Sequence, residues 1–267
     1  DTETWSGRVT STTFQPAWVE YYQEAIYKTV THGSGKDKYT TTEFSHYEDR
    51  YRKHSERYYT WDTLERQLDI GKSRYEEISK LFGGASPAQG ERRTWDHGSR
   101  LHSGDPNDYV AFAGSQIYPV TTIKSWENRV KAAPSLFSYP VVNGGFDYPV
   151  NGDPFRSDRL IGGAPKLIDI KEWDRLNAVL GPARGVNLIA VGFTDKAVSE
   201  AFNQEARWIG GKKNDLVICY STTGNKITWV RCFGWSESDI VKRNIETLVL
   251  IDGFVLEKIS ALVLKDY

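Results

Sequence analysis

A chain of 267 residues is long enough for one large or two medium domains, each with its own core. Its 34 basic and 35 acidic residues nearly cancel, so net charge gives no general attraction to nucleic acid or to an anionic membrane. The sequence holds no apolar run of the roughly eighteen residues that a membrane-spanning helix needs.

Aromatic residues are abundant (15 Tyr, 11 Phe, 9 Trp), a composition that suits strands and contact surfaces. The chain starts at Asp1 and contains no Met, as a processed product would. A removed export or anchor segment and a cleaved tag explain this equally well, and the first would place the protein at a membrane or envelope.

The expected fold class is α+β: an antiparallel β-rich domain over 1–133, a Pro/Gly-rich connector over 134–165, and a mixed sheet covered by helices over 166–267. Trp5–Thr10 reads as a first strand. Phe14–Thr31 and Lys38–Arg52 flank the tip His32-Gly33-Ser34-Gly35-Lys36-Asp37 and pair as a long antiparallel hairpin. Along the second arm Tyr39, Thr41, Glu43, Ser45 and Tyr47 alternate with Thr40, Thr42, Phe44 and His46. Neither set is strongly apolar, so the hairpin buries little and projects into solvent or rests on a partner.

The charged run 45–57 supports two readings. Arg50, Arg52, Lys53 and Arg57 would hold phosphates with Tyr51 or Tyr58 stacking on bases. Glu43, Glu48, Asp49 and Glu56 instead neutralise the run through cross-strand ion pairs, the reading preferred. Tyr58–Trp61 is a further strand. Lys72–Phe82 is a helix with Tyr75, Ile78, Leu81 and Phe82 on one face, stopped by Gly83-Gly84. Asp96, His97, His102, Asp105 and Asp108 gather in a loop-rich stretch. No pair has the i, i+4 spacing of helical metal ligands, so they read as surface loop residues and no metal site is assigned.

Tyr109–Ala113 and Tyr118–Thr122 read as strands and Trp126–Ala133 as a surface turn or short helix. The connector's Phe137, Tyr139, Phe146, Tyr148 and Phe155 imply that it packs over a surface. In the last hundred residues, Asp169 caps a helix with Ile170, Trp173, Leu176 and Leu180 inward and Gly181-Pro182 as its stop. Val186–Phe193 is a buried strand. Val198–Ile209 is a helix capped at Thr194 or Asp195 and ended by Gly210-Gly211. Leu216–Tyr220 and Ile227–Phe233 form a hairpin around Gly224-Asn225. Ser236 starts a helix with Ile240, Val241, Ile245 and Leu248 inward, and Val255–Leu264 is a helix or a strand. With the turn centred on Gly224-Asn225, Cys219 faces Val230, and Cys232 is its diagonal neighbour on the same face. At roughly 7–8 Å such neighbours are too far apart for a disulfide, so both are expected as buried free thiols.

The run Ala206-Arg207-Trp208-Ile209-Gly210-Gly211-Lys212-Lys213-Asn214-Asp215-Leu216-Val217-Ile218, followed by Asn225–Arg231, resembles the centre of the TPM domain family over roughly 167–255. The whole chain also resembles a group of phage and bacterial membrane-associated proteins with a Trp-Ser-Gly-Arg start and the same Gly-Gly-Lys-Lys-Asn-Asp turn. The first resemblance implies a mixed sheet covered by helices, and some TPM-like proteins are metal-dependent acid phosphatases. In that reading Lys212, Lys213, Asn214 and Asp215 hold phosphate and a divalent cation. The competing reading makes Gly210-Gly211 a helix terminator and Asp215 a turn acceptor.

The preferred function is a non-catalytic binding or assembly protein in a phage or bacterial envelope context. It docks a protein partner through its Tyr-rich β domain, with Tyr21, Tyr27, Tyr39 and Tyr47 as contacts, and the partner class is another protein or self-association. No cofactor and no nucleic acid are expected, and a membrane only through a segment outside this chain.

Overall fold

The structure is a computed structural model that describes residues 2–89, 100–125, 140–150, 152–235 and 238–267. The chain is α+β and divides into two compact units, 1–9 with 62–65 and 117–267, and 10–61 with 66–116. This division differs from the expected boundary at 133. Residues 2–9 and 117–125 group with the C-terminal residues because their strands pair with each other and pack against the C-terminal helices. The expected elements at 126–133 and 134–139, with Phe137 and Tyr139, lie outside the described residues.

The second unit is built on β1 (Thr2–Gln15), whose residues Ser11–Phe14 pair antiparallel with β8 (Asn107–Phe112). Strand β4 (Arg57–Asp62) and β5 (Gln67–Asp69) extend the sheet on one side and β6 (Ser86–Gln89) on the other. Helix α1 (Lys72–Leu81) buries Ile78 and sets Tyr75 against Phe14 at 5.9 Å, with Tyr58 stacked on Phe14 at 4.8 Å. The same unit carries the hairpin of β2 (Trp18–His32) and β3 (Tyr39–His54), with β7 (Arg100–Gly104) pairing the base of β2. The expected long hairpin is present, but its alternation is not. A register shift at Ile26/Tyr27 passes over Ser45, so Phe44 shares a face with Tyr47 and not with His46.

In the first unit, Thr2–Arg8 of β1 pair with β9 (Pro119–Ser125). The main sheet has the order β10 (Leu160–Gly162), β11 (Asn187–Thr194), β12 (Asp215–Thr223), β13 (Lys226–Phe233), with the first three parallel and the last antiparallel. One face, with Leu188, Ala190, Leu216, Ile218, Tyr220 and Cys232, is covered by α2 (Ile170–Arg184), α4 (Asp239–Asp252) and α5 (Leu256–Asp266). The other, with Ile189, Val191, Phe193, Val217 and Cys219, is covered by α3 (Ser199–Arg207), Trp208 and the connector residues Phe146 and Tyr148. Both parallel connections step the same way across the sheet, yet α2 and α3 lie on opposite faces. The two crossovers are therefore of opposite hand, and one departs from the usual right-handed rule.

Several boundaries differ from expectation for local reasons. Helix α2 runs through Gly181-Pro182 and ends at Gly185 in the left-handed region, φ 67°. Gly181 serves packing: a Cβ there would sit 2.8 Å from Ser6 Cβ and 3.0 Å from the Ser6 carbonyl oxygen. Ile170 is exposed, and Asn177 takes its place on the buried face. Helix α3 starts at Ser199 because Asp195 turns into the left-handed region, φ 52°, before it. In α4 the buried residues are Val241, Ile245 and Val249, with Ile240 exposed; Ser236 lies outside the described residues.

The β12–β13 hairpin carries a bulge at Thr228, whose hydroxyl donates to the Ser221 carbonyl at 3.1 Å. The extra residue pairs Cys219 with Arg231 instead of Val230, which turns Cys232 to the opposite face of the sheet. Both cysteines are free and buried, and burial raises both thiol pKa values.

Gly181→Ala should cost about 1–2 kcal/mol, the close approach of Ser6 outweighing the better helix propensity of Ala. Urea unfolding of the two proteins measures it; equal or higher stability in the variant would show that no close contact exists at this position.

Candidate functional site

Two places hold the residues singled out from sequence, and the first is the hairpin. Its 15- and 16-residue strands present two chemically different faces. One is laced with charge. Arg50 Nε pairs with Glu24 at 2.9 Å and its Nη2 with Glu48 at 2.7 Å, and the Arg52 guanidinium lies 5.0 Å from the centre of the Tyr22 ring. At the base Glu20 is buried, 2.8 Å from His54 Nε2 and 3.7 Å from Arg52, and His54 stacks on Trp18 at 4.2 Å. Near the tip His32 approaches Glu43 at 3.3 Å and stacks on Tyr39. Cross-strand pairs are therefore present, but the acids that Arg50 and Arg52 find across the ribbon are Glu24 and Glu20 of β2; of the four acids named from sequence, Glu43 meets His32 across the ribbon, Glu48 pairs with Arg50 along its own strand, and Asp49 accepts from Tyr21 and Gln23. Beyond the hairpin Arg57 pairs with Asp69.

The other face carries rings. Pairing places Tyr21 opposite Tyr51, Ala25 opposite Tyr47 and Tyr27 opposite Phe44. The rings of Tyr27 and Phe44 meet edge-on at 6.1 Å, those of Phe44 and Tyr47 at 5.0 Å, and His102 sits 4.7 Å from Tyr51. Tyr27 and Tyr47 are each 60% exposed, Tyr51 58% and Phe44 50%. Of the four tyrosines picked from sequence, Tyr21, Tyr27 and Tyr47 share this face, whereas Tyr39 lies on the charged one. Phe44, Tyr51 and His102 were missed. The first was hidden by the bulge, and His102 arrives from a strand remote in sequence.

Asp105 accepts bonds from the Tyr109 hydroxyl and the Asn107 amide, while Asp96 and His97 lie outside the described residues. Among the described residues no group of three or more His, Cys, Asp and Glu is arranged to hold a metal ion.

The second place is the turn 210–215. Helix α3 ends with Ile209, Gly210 and Gly211 all at positive φ. The Gly210 amide donates to Glu205 O and the Gly211 amide to Trp208 O, the backbone closure of a helix C-terminus. Asp215 is fully buried. Its carboxylate accepts from Asn187 Nδ2 at 2.8 Å, from the Lys212 amide at 2.7 Å, and from the Tyr148 hydroxyl, 2.9 and 3.1 Å from its two oxygens. Lys212 reaches Thr2 Oγ1 and lies 5.1 Å from the centre of the Tyr148 ring, and Asn214 donates to Thr4 O at 2.7 Å. Lys213 points to solvent. Lys212, Asn214 and Asp215 are thus brought together, but as a knot that ties the connector, β1, β11 and β12. Burial pushes the Asp215 carboxyl pKa up, against the pull of its donors, and pushes the Tyr148 phenol up as well.

Beside the knot lies a cluster that sequence reading missed. Arg159 is buried, donates to Ser6 Oγ at 2.7 Å, and has its pKa lowered by burial to about 10, so it stays charged at neutral pH. Asp174 on α2 is pushed up to about 6 by burial, with the Ser157 hydroxyl and the Arg159 guanidinium pulling the other way and Asp158 adding to the rise. A lone Arg or Asp in a stretch of mixed charge carries no signal that it will be buried.

Comparisons with protein-family models, with curated proteins and with solved structures returned no match.

Replacing Asp215 by Ala strands the Tyr148 hydroxyl, the Asn187 amide and the Lys212 N–H, each costing about 1–3 kcal/mol if left unbonded. The expected loss in denaturant unfolding is about 3–5 kcal/mol; a loss below 1 kcal/mol would show that the knot holds nothing together. Asp174 has a folded pKa above its unfolded value near 3.9, so its contribution is present below about pH 4 and is lost as pH rises through 6. Wild-type stability should fall by about 2–3 kcal/mol across that window relative to Asp174→Asn; parallel pH curves for the two proteins would contradict the shift.

Proposed function

We propose that the chain is a non-catalytic binding or assembly protein that docks a protein partner through the aromatic face of the β2–β3 hairpin. The carrying observation is the exposure of Tyr27, Phe44, Tyr47 and Tyr51 together on one face of a ribbon whose opposite face is charge-paired. Rings of this size held in water forfeit burial, and Tyr is among the residues enriched at protein interfaces. A hydrolytic reading of the Gly210–Asp215 turn finds less support, because the amides of Gly210, Gly211, Lys212 and Asp215 are consumed internally.

The mixed sheet with helices on both faces supports keeping a TPM-like fold as part of the proposal. No helix among the described residues is long and apolar enough to cross a membrane. An envelope location in a phage or bacterial setting, through a segment outside this sequence, stays part of the proposal.

The test is face-specific photo-cross-linking in cells that make the protein, with a benzophenone side chain at Tyr47 or, as control, at Tyr39. Both positions are exposed, so neither substitution threatens folding. Adducts to a discrete protein species are expected from Tyr47 and not from Tyr39. Equal yields at both, or none at Tyr47, would remove the hairpin face as the contact surface.

A further inference from the structure

We propose that the surface this face docks on is the same face of a second copy of the chain, with two hairpins stacked about a two-fold axis. The inference rests on the aromatic face being a protein contact and adds which protein it meets. Charge is the first argument. From Ala25 and Tyr47 outward to the turn, the face carries Ala25, Tyr27, Thr29, Thr31, Thr40, Thr42, Phe44 and Tyr47, with no ionisable acid or base among them. Its charges, Asp49 and Lys53, sit toward the base, and Asp49 accepts from the Tyr21 hydroxyl at 2.5 Å and from Gln23 at 3.1 Å. A charged partner surface laid on the outer half would lose solvent and gain no counter-charge. The outer half of a second copy meets the requirement for a neutral, ring-bearing surface, and an isologous contact sets it on itself.

Geometry is the second argument. At about 3.4 Å per residue and about 4.8 Å between strands, the ribbon is roughly 50 Å long and about 10 Å wide. The whole face therefore spans about 500 Å² and its neutral outer half about half of that, before side-chain relief is counted, well short of the roughly 800 Å² that each partner buries in a standard stable complex. The contact is accordingly a weak, reversible dimer. The rings stand edge-on or tilted to one another (80° for Tyr27 and Phe44, 55° for Phe44 and Tyr47), a non-stacked arrangement that further rings can join in the same edge-to-face manner. The charge-paired face has no comparable need for a partner, since its acids and bases already pair with each other across and along the strands.

Sedimentation velocity of the purified full chain from about 1 to 200 µM decides the matter. The weight-average mass should climb from 30.4 kDa toward twice that value. Tyr27→Ser combined with Tyr47→Ser should raise the dimer Kd at least tenfold, while Tyr39→Ser leaves it unchanged. A wild type that stays monomeric throughout overturns the inference. If Tyr47 still cross-links a different protein in cells, the contact reading survives that result; if it cross-links nothing, both fall. A Kd raised as much by Tyr39→Ser as by the double change points to pairing along the open edge of β3, and overturns the face-to-face arrangement.

Discussion

A sheet whose central strands are buried on both sides must be covered on both sides, and this demand organises the first unit. Strands β11 and β12 carry apolar side chains at successive positions, Leu188-Ile189-Ala190-Val191 and Leu216-Val217-Ile218-Cys219, so neither face can be left to water. One face receives three helices. The other has α3, only nine residues long, and the remaining area is closed by an irregular segment. An irregular segment brings unpaired amides and carbonyls into the interior, and these need partners as surely as the side chains need cover. Gln204 supplies them: fully buried, it accepts from the Phe146 amide at 2.8 Å and donates to the Phe146 carbonyl at 3.0 Å, as a neighbouring strand would. Trp208 Nε1 adds a second donor to the same carbonyl. On the opposite face Asn177 treats Leu188 in the same way, accepting from its amide and donating to its carbonyl.

These buried amides explain why the Asp215 knot is polar. The start of β12, the start of β11, the connector and the helix-terminal turn converge where no continuous ladder can serve all of them. A carboxylate accepting from three different segments fixes their positions together, which an apolar side chain in the same place cannot do. The left-handed run Ile209-Gly210-Gly211 fits the same account. A β-branched residue at φ 54° costs of order 1 kcal/mol or more, and it persists because the helix end and the knot leave the chain no other route.

How much of this was legible in the sequence follows from what each signal measures. Apolar runs located β11 and β13 to within a residue and β12 to within three, because a strand buried on both faces writes itself in consecutive β-branched residues. Hydrophobic period placed α1 and α2, yet it discounted Asn177 and Gln204, since a polar residue on a helix reads as outward unless the backbone it serves is known. Alternation failed at Ser45 and Thr228. A bulge inserts one residue and reverses every facing beyond it, and no residue type at those positions announces one. The same shift separates Cys219 from Cys232 and joins Phe44 to Tyr47. Lys212, Asn214 and Asp215 were rightly grouped by proximity in sequence, but their role depended on Tyr148 and Asn187, which are 67 and 28 residues away from Asp215.

The contrast between the two places is then a contrast in what burial has been used for. At the knot, Asp215 is fully buried and accepts from Asn187, the Lys212 amide and Tyr148 of the chain itself, so its bonding holds segments together. On the hairpin the polar face is closed internally by ion pairs, whereas Tyr27, Phe44, Tyr47 and Tyr51 opposite make only tilted or edge-on contacts and keep half or more of their area in water. A bulge that merely spoiled an edge would have left Phe44 among the charges. Instead it delivers a fifth ring to a face that already had four, Tyr21, Tyr27, Tyr47 and Tyr51, and it is this gathering, and not aromatic content by itself, that argues for a surface meant to be covered.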